Sequence, residues 1–215
     1  MEDQDHSVVT RWGGRAERYR EFHGAQTRAH DPFAIQPVRF GHEFHFEAWV
    51  LERFAPDTQS ITSMPTIVTA TTDDVDQLSA KATFVVTRRD GTVAYFLVTK
   101  ADAPSQLLRQ LRRVAKANRA EVVHRTRAEV RARVDEFWFF ERLRQAATIW
   151  VRRGDELDAQ LVAHCASGHK SLADFCALIE APSDLIRARL ARLHVNGQLV
   201  INCQGGELVA SGASS

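Results

Sequence analysis

The segment from Lys81 to Lys100 limits the fold of this chain more than any other. Its residues alternate apolar and polar along two runs that meet at Asp90-Gly91, a pair of residues suited to the positive φ of a tight hairpin turn. An antiparallel strand pair near the middle of the chain requires a sheet, and helical patterns lie on either side of it. The chain has 215 residues, of which 44% are apolar, enough for one good core and a smaller second one, so two domains are expected. It contains no apolar run of eighteen residues and no basic-then-apolar start. A membrane-spanning helix and secretion are therefore not expected, and the expected location is cytoplasmic. Cys165, Cys176 and Cys203 are odd in number and irregularly spaced, which suits buried thiols in a reducing compartment better than a disulfide framework.

The first thirty or so residues carry Trp12-Gly-Gly-Arg15, Arg18, Arg20 and Arg28 with little apolar period, and read as a basic arm over 1–31, extended or partly helical. Phe46, Val50, Leu51 and Phe54 mark a helix from Glu43 to Phe54 that stops at Ala55-Pro56-Asp57. Ser60 to Ala70 is β-rich. Thr71 to Ala80, with Asp73, Asp74 and Asp76, reads as a polar connection. Beyond the hairpin, Leu107, Leu108, Leu111 and Val114 form the apolar stripe of a helix over Ser105 to Asn118, whose back carries Arg109, Arg112, Arg113 and Lys116. A short strand over Ala120 to His124 follows, then Thr126 and Glu129 at capping-box spacing, then the aromatic cluster Phe137-Trp-Phe-Phe140, read as core. Charge is uneven along the chain: from Pro104 to Arg153 twelve arginines and one lysine stand against five acids. Such a concentration suits phosphate contact, because guanidinium pairs bidentately and stays charged.

The C-terminal stretch reads as three capped helices and a hairpin. Leu157 to Cys165 ends near Gly168, Ser171 caps a helix reaching Ile179, and Pro182-Ser183 opens a third that stops at Asn196-Gly197. Leu199 to Cys203 and Glu207 to Ala210 are short strands joined by Gln204-Gly-Gly206. The expected fold class is thus α/β: a restriction-endonuclease-like mixed-sheet core over 32–150, then a small winged helix-turn-helix domain over 151–215. On the third helix, Leu185, Ile186, Leu190 and Leu193 are expected to face the core, with Arg187, Arg189, Arg192 and His194 outward, a helix fit for a major groove. Lys170 and Ser171 stand where a side chain and a helix start meet phosphate.

Over about Pro32 to Ser211 this layout resembles the TnsA-like transposon-end endonucleases, a restriction-nuclease-like domain followed by a winged helix. The likeness rests on Phe44-His-Phe-Glu-Ala-Trp-Val-Leu-Glu-Arg-Phe-Ala-Pro-Asp57, Gln59-Ser-Ile-Thr-Ser-Met-Pro65, Ala82-Thr-Phe-Val-Val-Thr-Arg-Arg-Asp-Gly91 and Phe96-Leu-Val-Thr-Lys100. In such nucleases a helix Glu, an Asp and the Glu of a Glu-x-Lys motif hold a divalent cation while the Lys steadies the attacking water. Here the helix Glu falls on His45, or on Glu47 if the helix slips by two residues. The Asp becomes Thr83 and the second Glu becomes Val98, and only Lys100 persists. A magnesium ion would keep at most Glu47 and a few carbonyls, short of two acidic anchors.

The resemblance therefore implies a catalytically inactive DNA-binding protein with no cofactor, acting beside a transposase in mobile-element end recognition. Lys100, Arg109, Arg112, Arg113, Lys116, Lys170, Ser171, Arg187, Arg189 and Arg192 are the DNA-contact candidates. Double-stranded DNA and a transposase or ATPase regulator of the same element are the implied partners, without a membrane, and the layout leaves a homodimer open. Two alternatives stand beside it. In one, Glu43, Glu47, Asp73, Asp74 or Asp76 rebuild a magnesium site in an active nuclease. In the other, the protein is an assembly subunit whose winged helix binds protein. His42 and His45, three residues apart, lack an evident third ligand for a transition metal.

Overall fold

The computed structural model describes residues 27–34, 38–63, 66–68, 79–150, 155–204 and 207–212. The Trp12 to Arg20 part of the basic arm and Asp73, Asp74 and Asp76 lie outside them. The last residues of the arm form β1 (Thr27–Ala29), which pairs antiparallel with β2 (Val38–Phe40). Then come α1 (Glu43–Arg53), β3 (Thr58–Ser63), β4 (Thr66–Val68), β5 (Ser79–Lys81), β6 (Phe84–Arg88), β7 (Val93–Thr99), α2 (Ser105–Ala117), β8 (Glu121–Thr126), α3 (Arg127–Arg131) and α4 (Val134–Ile149). The C-terminal elements are α5 (Asp155–Ala166), β9 (Lys170–Ser171), α6 (Leu172–Leu178), α7 (Ser183–Val195), β10 (Leu199–Gln204) and β11 (Glu207–Gly212). The protein is a mixed α/β structure.

Its main sheet has the order β3-β6-β7-β8, antiparallel at the first two junctions and parallel at β7-β8. Alternate residues of a strand point to opposite faces. Against the alternation expected of the second run, Ala94 to Val98 in β7 is apolar throughout and is covered on both sides. Phe84, Val86, Phe96 and Val98 join the cluster containing α1 and α4, while Tyr95 and Leu97 meet Leu111, Val114 and Ala115 of α2. The chain leaves this sheet at Ala82-Thr83, because β5 pairs with β4 instead.

The hairpin closes where its sequence places it, through a longer turn. Arg88 N–H donates to Thr92 O at 2.8 Å, leaving three loop residues, and of these only Gly91 has positive φ, at 85°. The Asp90 carboxylate accepts from both the backbone N–H and the hydroxyl of Thr92, which fixes the loop without a left-handed Asp. Thr126 caps α3 and Ser171 caps α6, each in a full capping box.

The C-terminal elements do not form a separate core. One apolar cluster runs from Phe54 and Phe140 to Ile186, Leu190 and Leu199, and the second cluster is the α2 side of the sheet. β10 pairs antiparallel with β11, and β11 with β9. The hairpin loop reaches the end of α7: Arg89 donates from Nε to Pro56 O at 3.1 Å and from Nη2 to Val195 O at 2.6 Å. This contact sets the fate of Gly197, whose φ is 77° and whose added Cβ would lie 2.5 Å from Arg89 Nη1. Gly197→Ala is expected to lose about 1–2 kcal/mol, from the left-handed backbone and the displaced guanidinium, measured by urea unfolding.

Candidate functional site

A cleft of about 630 Å³ opens where α1 begins, between β5, the end of β7, the start of α2, and α3. Four of the positions that the resemblance singles out line it: His45, Thr83, Val98 and Lys100. Thr83 hydroxyl accepts the Val98 N–H at 2.9 Å, and His45 Nε2–H donates to Val98 O at 3.0 Å. The departure of β5 from the sheet would leave the Val98 amide without a strand partner, and the Thr83 side chain supplies one. Because a carbonyl can only accept, the His45 proton sits on Nε2, and its Nδ1 is buried with no hydrogen-bond partner among the described residues. Burial, then the neighbouring His42, hold the His45 pKa down to about 4 against the opposing bond to Val98 O. At neutral pH the floor of the cleft is thus an uncharged, internally bonded knot.

The rim is cationic. Lys81, Lys100, Arg127 and Arg131 line the cleft, and Glu43 is the acid among the lining residues. Arg131 is engaged with Glu43 at 3.3 Å and with Glu47 at 3.6 Å. Glu47, the slipped alternative to His45, does not line the cavity. Burial raises its carboxyl pKa, opposed by Arg131 and Arg127. Lys81 and Lys100 are exposed and have no acidic partner among the described residues. The sequence reading missed Lys81, Arg127 and Arg131. The whole β6-β7 hairpin separates Lys81 from Lys100 along the chain and Arg127 directly follows the Thr126 cap, and only the fold of β5 and α3 around the end of β7 brings them together.

Arg109, Arg112, Arg113 and Lys116 all lie exposed on α2, at i, i+3, i+4 and i+7, and so share one stripe opposite the buried Leu111, Val114 and Ala115. The same helix lends Leu107 to the cleft wall.

The arginines of α7 do not project as the sequence suggested. Arg189 is 6% exposed and donates through Nε and Nη2 to the Asp158 carboxylate. Arg192 donates to Pro32 O and Ala147 O and lies over the Phe33 ring, and His194 is buried. Arg187, half-buried, pairs with Asp184 one turn before it. The physical reason is position: α7 is packed between α4, α5, α6 and β10, so its polar stripe faces protein on several sides. Ser171 hydroxyl is engaged in its capping box with Asp174, and Lys170 is half-buried on β9.

Among the described residues no three His, Cys, Asp or Glu side chains come together as a metal-binding group, and no helix is long and apolar enough to cross a membrane. His42 and His45 have ring centres 5.1 Å apart. The site is a cleft with a cationic rim on a mixed α/β scaffold. The chain matches no protein-family model and no curated protein at a significant level.

Proposed function

We propose that this protein binds duplex DNA without cutting it, as a catalytically silent relative of the TnsA-like endonucleases working beside a transposase. The observation that carries the reading is the knot of His45, Thr83 and Val98. Neutral, mutually bonded groups stand where a nuclease of this plan would hold carboxylates, while Lys100 remains on the rim. The element order α1-β3-β6-β7-α2-β8, with β7 and β8 parallel, supports a restriction-nuclease-like core. Three helices with β9, β10 and β11 in one small sheet support a winged helix. DNA is gripped by Lys100 and the α2 stripe rather than by α7, whose Arg189 is held by Asp158 of α5 and whose Arg192 ties α7 to Pro32 and Ala147 of the N-terminal half. That engagement favours an assembly role for the winged helix as a second reading.

The test is an electrophoretic shift on duplex DNA at two salt concentrations with magnesium present. Uncut, salt-sensitive complexes are expected. Arg109→Glu, Arg112→Glu and Arg113→Glu together should weaken binding at least about tenfold and flatten the salt dependence by about 0.9 in logarithmic slope for each phosphate left unneutralised. All three are exposed, so circular dichroism should be unchanged. Unaltered affinity would remove α2 from the interface, and cleaved DNA would overturn the silent site.

A further inference from the structure

The cleft has a property that duplex binding leaves unused: around the bonded His45, Thr83 and Val98 groups and the unpartnered His45 Nδ1, its lining is largely apolar. Phe44, Ala82, Val98 and Leu107 form much of the lining, and the polar atoms that join Thr83, His45 and Val98 are already bonded to one another. Lys81, Lys100 and Arg127 stand around that floor. A backbone phosphate needs cations and no apolar surface, and inorganic phosphate needs still less. A concave cavity of about 630 Å³ with an apolar base and a few converging charges has the form of a site for a small organic ligand.

We propose that the cleft holds a nucleoside phosphate, its base against Phe44, Val98 and Leu107 and its phosphate among Lys81, Lys100 and Arg127, without a bridging metal ion. A base offers an apolar face that any such floor accepts, and phosphate oxygens take hydrogen bonds from both lysine and arginine. The cations take the charge-neutralising role that a carboxylate-held ion would otherwise have. Arg131 shapes the wall, since Glu43 and Glu47 engage it. The ligand has two sources with the same chemistry: a free nucleotide, or the unpaired phosphorylated end of a nucleic-acid strand. The site goes beyond the duplex reading, since a free nucleotide needs no contact with the exposed cationic stripe of α2.

The experiment is isothermal titration calorimetry of the full chain in EDTA with three probes: ADP, a 5′-phosphorylated DNA dinucleotide, and orthophosphate. ADP or the dinucleotide is expected to bind at least about tenfold more tightly than orthophosphate, and Lys81→Glu with Lys100→Glu should weaken it at least about tenfold. Binding of ADP assigns the site to free nucleotides; binding of the dinucleotide alone assigns it to strand ends. Leu107→Ala should weaken the nucleotide probe and leave orthophosphate unchanged, which separates the floor from the rim. The triple α2 variant should lose duplex and keep the nucleotide, so failure of either reading shows separately. The proposal is overturned if neither nucleotide probe binds, if orthophosphate binds as tightly as both, or if the lysine substitutions change nothing.

Discussion

His194→Ala is expected to destabilise the protein by about 3–5 kcal/mol, read as a fall in the midpoint of urea unfolding. The imidazole is 2% exposed and serves two backbones at once. Its Nε2–H donates to Phe54 O at 2.9 Å, and its Nδ1 accepts from Ile201 N–H at 3.1 Å. The ring also stacks on Phe54 at 6.0 Å between centres. Alanine leaves a buried carbonyl and a buried amide unsatisfied, each costing about 1–3 kcal/mol, and a cavity besides. A loss below about 1 kcal/mol would show that water or a local shift replaces the ring.

The same geometry predicts acid sensitivity. Burial holds the His194 pKa below its ordinary 6.5, despite the opposing bond to Phe54 O. Above 6.5 both folded and unfolded chains carry neutral imidazole. Below it the unfolded state takes up a proton that the folded state resists, so stability falls with falling pH. His45 acts in the same direction between 6.5 and about 4. Glu47 and Glu52 act in the opposite direction, since burial raises their carboxyl pKa values and acid relieves the cost of their charge. Comparing the pH dependence of the native protein with that of His194→Ala isolates the share of this one ring, and the variant should show the shallower decline.

What the sequence made legible follows from the range of the physics involved. The Thr126 capping box, the Ser171 cap, the Asp90-Gly91 turn and the α2 amphipathic stripe are each set by residues within a turn or two of one another, and all formed where the pattern places them. The grouping of His45, Thr83 and Val98 rested on the resemblance alone. No local pattern carries it. Lys81 and Arg127 were missed for that reason. The reading of α7 failed for a related one. Arg189 and Arg192 occupy positions that a solvent-facing stripe would occupy on a free helix, but their partners, Asp158, Pro32 and Ala147, come from distant elements. A helix surrounded by protein can hold arginines inside when carboxylates and carbonyls await them, and the periodicity of one helix does not report its neighbours.

Glu141 carries that lesson to its largest consequence. The side chain is fully buried, at 0% exposure, and its two oxygens accept from Arg144 Nε at 2.7 Å and Nη2 at 2.8 Å. Arg144 Nη1 donates in turn to His30 O at 2.6 Å, tying the segment before α1 to α4, and the guanidinium lies 5.5 Å from the Phe46 ring centre. Glu141→Leu strips this guanidinium of its carboxylate in an apolar setting. Breaking a buried pair from one side typically costs about 3–5 kcal/mol, because the desolvation of the surviving charge is no longer offset. Arg144→Met alone should cost a similar amount by leaving the buried Glu141 carboxylate without its cation, although Gln145 Nε2 still donates to it at 3.0 Å. The double variant should recover much of the loss, since the pair and its desolvation vanish together, and a double-mutant cycle on urea midpoints measures the coupling. Independent, additive losses would mean that the two side chains act through packing alone. A strong coupling would identify the pair as the clamp that holds residues 27–34 against the core from which α1 presents His45 to the cleft.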